Sequence, residues 1–169
     1  PDLITPNGLD IENIPDLAAD RKAALKSRKK LLAAATRFLG RDFPADTRIM
    51  LISGRGEFHN KGVDLFLSAL GRLNREMGPD QTVIAFIFVL GDYTDLIPSL
   101  KSDDVRPDPG NPPIASHRLR YEASDPILQA CERLGLKNFP QNRVQVIFVP
   151  AYLNGHDGFI NMTYYEALA

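Results

Sequence analysis

The stretch Thr82 to Leu90 reads Thr-Val-Ile-Ala-Phe-Ile-Phe-Val-Leu, branched and aromatic throughout, with none of the alternation that would leave one face in water. Two other short runs, Thr47 to Ser53 and Arg143 to Val149, share that character. Apolar runs of this length suit strands buried on both faces of a parallel sheet, and such a sheet needs helices on either side. All fall far short of the ~20 apolar residues of a membrane-spanning helix, so a membrane is not an expected partner. Between the first two runs in chain order, Val63, Phe66, Leu67, Leu70, Leu73 and Met77 recur at helical spacing until Gly78-Pro79 stops them. Strand, glycine-rich turn, helix, strand is a βαβ unit with a right-handed crossover. The expected fold class is α/β: a Rossmann-like parallel sheet flanked by helices.

Ahead of the sheet, Leu17, Ala24, Leu25, Leu31, Leu32, Ala35, Phe38 and Leu39 follow a Pro15-Asp16 start signal and precede Gly40, which predicts a long amphipathic helix. Its other face carries Arg21, Lys22, Lys26, Arg28, Lys29 and Lys30, read as a solvated face rather than a polyanion site. From about 96 to 140 the pattern loosens: Pro98, Pro107, Pro109, Pro112 and Pro113 break any long element, so this is an insertion carrying little sheet. A helix re-forms near Asp125, where Ser124-Asp125-Pro126 supplies caps ahead of Ile127, Leu128, Ala130, Cys131 and Leu134. Cys131 then falls on an apolar face and reads as a packed thiol, not a nucleophile.

A length of 169 residues fits one domain or one lobe of a larger enzyme. Pro1 to Ile4 reads like the tail of a strand and Tyr164 to Ala169 like a helix just begun, so both ends look like cuts. One cysteine and no basic-then-apolar leader make a cytoplasmic setting the expectation. A formal net charge of -1 gives nucleic acid no purchase.

The segment richest in chemistry is Ser53-Gly54-Arg55-Gly56-Glu57-Phe58-His59-Asn60-Lys61-Gly62, which joins a strand to a helix at the carboxyl edge of the sheet. Ligands of open α/β folds bind there. Gly54 and Gly56 permit close backbone approach, and a helix N-terminus favours an anion. Arg55 and Lys61 stand at the loop's two ends and can clamp a diphosphate, Arg55 by paired hydrogen bonds and Lys61 as a point charge. The loop is neither a Walker A motif nor a full dinucleotide fingerprint, and Arg55 with Glu57 reads equally as a surface ion pair. A second loop, Pro150 to Gly155, leaves the sheet at the same edge, and its Tyr152 reads either as a platform for a flat base or as a ring closing over the core. His59, His117 and His156 lie far apart without paired ligand spacing, so no zinc site is expected, and Asp103-Asp104 reads as solvated loop charge.

Gly54-Arg55, Glu57, Asn60-Lys61-Gly62, Asp64, Phe66, Ala69-Leu70 and Arg72-Leu73-Asn74 together resemble the animal and fungal type of glycogen synthase. Thr5 to Leu9 resembles the segment where those enzymes cross between two Rossmann-like domains. Pro112-Pro113-Ile114 with His117, and Asp125 to Leu128, resemble an insertion peculiar to that type; Arg143-Val144, Ile147-Phe148, Pro150 and Leu153-Asn154 are similar to the strand and loop near its donor site. The match is collinear over almost the whole chain.

The resemblance implies that residues 1–169 are part of the C-terminal, donor-binding lobe of a two-domain retaining glycosyltransferase that moves glucose from UDP-glucose to an α-1,4-glucan end. It implies no metal or other cofactor, a UDP-sugar donor and a glucan acceptor as partners, and a full-length protein able to form homo-oligomers. Arg55 and Lys61 match the family's pyrophosphate contacts, which stabilise the departing UDP; Gly54 belongs to the same motif, and Tyr152 matches an aromatic position near the base. The chain departs from the pattern where Gly56 replaces an aromatic residue and where Val149 and Ala151 replace a histidine and a glutamate, and its insertion is shorter. Its end precedes a glutamate-containing motif and regulatory arginines, so the piece alone is expected to be inactive. The alternatives are a related retaining transferase, such as a sucrose synthase-like enzyme, and a non-enzymatic α/β interaction module.

Overall fold

A computed structural model describes residues 21–102 and 104–168. The Pro15-Asp16 start signal, Leu17, Thr5 to Leu9, Pro1 to Ile4, Asp103 and Ala169 lie outside the described residues. Helix α1 (Arg21–Leu39) leads into strand β1 (Arg48–Gly54), helix α2 (Val63–Glu76), strands β2 (Val83–Val89) and β3 (Tyr93–Leu96), a single turn α3 (Pro98–Lys101), strand β4 (His117–Leu119), helix α4 (Pro126–Leu134), strand β5 (Val144–Val149) and α5 (Tyr164–Leu168). Among the described residues, β1, β2 and β5 form a parallel sheet in the order β1-β2-β5, with Leu51 opposite Phe86 and Phe86 opposite Ile147. That is the Rossmann-like sheet expected.

Alternation along β2 divides the core between two layers. Ile84, Phe86 and Phe88 face a cluster built from Leu31, Ala35 and Phe38 of α1 with Ala167 of α5. Val83, Ala85, Ile87 and Val89 face Val63, Leu67 and Leu70 of α2 with Ile127, Ala130 and Cys131 of α4. Every residue of β2 and β5 is buried. β1 differs from expectation: its pattern mixes exposed and half-buried residues, and Met50 is 37% exposed. The reason is its place at the sheet edge, with β2 as its sole strand neighbour among the described residues. Leu25 also departs from the expected apolar stripe, at 49% exposure. The inward stripe of α1 is Ser27, Leu31, Ala34, Ala35 and Phe38, and Leu25 sits two positions, about 200° of helical turn, from Ser27.

The basic face of α1 is partly structural. Arg28 donates to the carbonyls of Ala45 and Thr47 at 2.7 and 2.6 Å, and Lys30 pairs with Glu166 at 3.4 Å. Asp125 caps α4 by accepting from the N–H groups of Ile127 and Leu128 at 2.9 and 3.0 Å, the role its sequence position predicts. Cys131 is buried, and desolvation pushes its thiol up to about 12.

The insertion is more than loose coil. β3 and β4 pair antiparallel, and residues 114–116 add a bridge to the outer edge of β5: Phe148 N–H donates to the Ile114 carbonyl and Ser116 N–H to the Phe148 carbonyl, each at 2.8 Å. Buried Asn138 continues that edge, accepting from Val146 N–H at 2.6 Å and donating back to the Val146 carbonyl at 2.7 Å. The open edge of β5 is thus covered at Val146 and Phe148 by side chain and segment together.

Candidate functional site

The β1–α2 loop is closed by its own backbone. Glu57 N–H donates to the Arg55 carbonyl at 2.7 Å, Lys61 N–H to Glu57 at 3.0 Å and Gly62 N–H to His59 at 3.0 Å. Gly62 takes φ 71°, a left-handed conformation that glycine adopts without strain, and starts α2 with no side-chain cap. Gly56 is sterically obligatory: a Cβ there would stand 2.7 Å from the carbonyl oxygen of Leu90, at the end of β2. Gly54 is not, because a Cβ there would meet the stem of Lys61 at an ordinary 3.7 Å.

Arg55 is solvated, with a side chain 75% exposed, and its Nε lies 3.1 Å from Glu57 Oε1. The surface ion pair read from sequence therefore forms, at a strength of about 0–1 kcal/mol that an incoming anion can displace. Lys61 has no ion-pair partner among the described residues. Asp64 occupies the first turn of α2, bonded to His59 Nδ1 at 2.8 Å, and that bond holds its carboxyl below the usual range. Its charge already complements the helix N-terminus, so an anion at this mouth relies on the two cations more than on the helix dipole.

The loop after β5 is built differently. Pro150 accepts from Gly91 N–H at 3.2 Å, Ala151 is buried, and Tyr152 is 68% exposed. Further on, the Asp157 carboxylate accepts from the N–H groups of Phe159, Ile160 and Asn161 at 3.0, 2.7 and 2.8 Å. Phe159, Ile160 and Met162 then plug into the α1 side of the core. Thr163 and Glu166 close a reciprocal capping box on α5.

A polar cleft of about 300 Å³ opens beside this loop, lined by Tyr93 and Asp95 from β3, His117 from β4, and Tyr152, Asn154 and His156. His117 is buried, its ring centroid 4.5 Å from that of Tyr93, and its Nδ1 lies 2.9 Å from Ser116 Oγ. Burial pushes its pKa down against the opposing pull of Asp157, which favours the neutral imidazole. Two histidines distant in sequence, His117 and His156, thus share one cleft. No group of His, Cys, Asp and Glu among the described residues is arranged to hold a metal ion. A larger groove of about 780 Å³ runs along α4 within the insertion, over Pro113, Leu128 and Phe139, and holds none of the residues predicted for the site.

Gly54, Arg55, Lys61 and Tyr152 all lie at the carboxyl ends of parallel strands. The polar cleft takes in Tyr152 but neither Arg55 nor Lys61. The two loops leave strands separated by β2, about 10 Å apart at usual strand spacing, a span of the same order as a nucleoside diphosphate. Tyr93, His117, His156 and Asp157 were not predicted. Only His117 carried a signal, as part of the Pro112-Pro113-Ile114 segment, and nothing in that segment reveals where the chain folds back.

The family model described as glycogen synthase matches residues 1–108 and 105–168. Among known proteins, glycogen (starch) synthase isoform 2 of Saccharomyces cerevisiae is 29% identical over 98% of this chain and 33% of its own length. The liver glycogen (starch) synthase of Homo sapiens is 27% identical over 98% and 32%, and the glycogen (starch) synthase of Neurospora crassa 26% over 97% and 32%. The chain spans about a third of the length of these curated relatives. The three alignments run over 222 to 232 positions, more than this chain has residues, and the family match breaks at 105–108. Those relatives therefore carry positions that this chain lacks, and the family match is interrupted within the 96–140 stretch. No helix among the described residues is long and apolar enough to cross a membrane.

Proposed function

This chain belongs to the glycogen synthase family, and from that premise we propose that it is the nucleotide-sugar-binding part of a retaining glycosyltransferase that moves glucose from UDP-glucose to an α-1,4-glucan end. Arg55 and Lys61 take the diphosphate and stabilise the charge that builds on departing UDP, so the transfer needs no metal. Arg55 exchanges the Glu57 carboxylate for phosphate oxygens. Tyr152 stacks on the base. The acceptor glucan, assembly into homo-oligomers and a cytoplasmic setting belong to the whole protein in this reading, and donor binding to the residues of this chain.

One observation carries this reading: two cations and an exposed aromatic ring stand on loops that leave the same carboxyl edge of one parallel sheet, where open α/β folds bind their ligands. Titration of the folded chain with UDP-glucose, followed by NMR, tests it. Shifts are expected at Gly54 to Gly62 and around Tyr152. Unmoved resonances in both loops at millimolar ligand would discard the assignment.

A related donor is favoured by one feature of the cleft. Ala151 puts a methyl group on its wall where the family carries a glutamate, so the base meets no carboxylate at this position. Competition among UDP-, ADP- and GDP-glucose distinguishes the two readings.

A further inference from the structure

We propose that His117 is a positioning residue of the nucleoside half of this site: it fixes the loop after β5 so that Tyr152 meets the base. The inference rests on the donor reading above and makes the insertion, by sequence a proline-broken stretch carrying little sheet, part of the site.

Four observations converge on it. First, the segment that carries His117 is docked on the sheet: the two 2.8 Å bonds between 114–116 and Phe148 end one residue before the imidazole. Second, the ring is held on several sides. Ser116 Oγ lies 2.9 Å from Nδ1, the Tyr93 ring packs at a tilt 4.5 Å away, and Asp157 lines the same cleft, near enough to act on the charge of the ring. When Nδ1 accepts from the Ser116 hydroxyl, the remaining ring N–H is free to turn to the Asp157 backbone across the cleft.

Third, Asp157 is the residue that organises the loop, since its carboxylate takes three backbone N–H groups of the following turn. Holding the Asp157 backbone from one side and its turn from the other leaves residues 151–157 little freedom. Fourth, the Tyr152 side chain makes no hydrogen bond or ring contact among the described residues and is 68% exposed. The loop backbone sets the direction in which its Cα–Cβ bond points, so whatever steadies the loop limits where the ring can reach.

Calorimetric titration of the chain with three probes, UDP, uridine and inorganic pyrophosphate, separates the two halves of the site. His117→Ala should weaken UDP and uridine about tenfold, the scale of one lost base–aromatic stack, and leave pyrophosphate unchanged. His117→Gln keeps an N–H for the Asp157 carbonyl and should recover most of that loss. If circular dichroism shows the alanine variant unfolded, Ser116→Ala takes its place, with a smaller loss of uridine and UDP affinity expected. Parental UDP and uridine affinity in a folded variant would overturn the proposal, as would an equal loss for pyrophosphate, which marks general damage. A parent chain that binds none of the probes would instead refute the donor reading, and this inference with it.

Discussion

The two loops at the carboxyl edge solve the same placement problem by different means. The β1–α2 loop is short and closed by bonds within its own residues, and it displays two cations to solvent. The loop after β5 is long and meets partners distant in sequence: His117 of the insertion across a shared cleft, Gly91 just past the end of β2, and a core that receives Phe159 and Met162. One is charged and locally determined. The other is polar and assembled from three parts of the chain. A ligand with an anionic end and a flat neutral end suits that division, and the division predicts that each half can be damaged without the other.

The largest effect is expected from removing both cations. Charge-assisted hydrogen bonds contribute about 1.5–3 kcal/mol each, so Arg55→Ala with Lys61→Ala should lower pyrophosphate and UDP affinity by at least about a hundredfold while uridine binding holds. A parallel fall in uridine affinity would erase the distinction between the loops. Next comes Gly56→Ala. The added methyl group meets the Leu90 carbonyl at 2.7 Å, a backbone contact that cannot rotate away, and overpacking of this kind costs about 1–3 kcal/mol. Thermal unfolding should register that loss, and pyrophosphate binding should fall with it; an unchanged melting temperature would show that the loop does not need its close approach to β2.

Tyr152→Ala sharpens the contrast from the other side. UDP affinity should fall about tenfold, as expected for one stacked base, with pyrophosphate untouched. The smallest effect is one of pH. Burial holds His117 below its ordinary 6.5, so the unfolded chain takes up a proton more readily than the folded one. The stability linked to His117 is therefore present above pH 6.5 and declines as pH falls from there toward the folded value. His117→Gln should flatten that slope in melting curves taken between about pH 7.5 and 5.5. An identical slope in the variant would assign the acid sensitivity to other groups.

Much of the fold was legible because its signals are local. The strands around Thr82 to Leu90 and Arg143 to Val149, the stop at Gly78-Pro79 and the cap at Asp125 each depend on neighbours within a few residues, and the structure places all of them close to where the pattern does. Burial was less legible. Leu51 and Ile52 read like core residues, yet β1 is half exposed, because burial depends on which strands flank it. The insertion was the least legible region, since its prolines announce broken helices and nothing more.

By itself the sequence determined the alternation of strands and helices, the cationic loop and the packed thiol, since backbone preference, charge and apolar spacing act over short distances. Only the tertiary structure decided that Gly56 lies against the end of β2 and that His117 and Tyr152 line one cleft. Those contacts join residues brought together by strand order and chain reversal, and they are set by the packing of the whole core rather than by any segment of it.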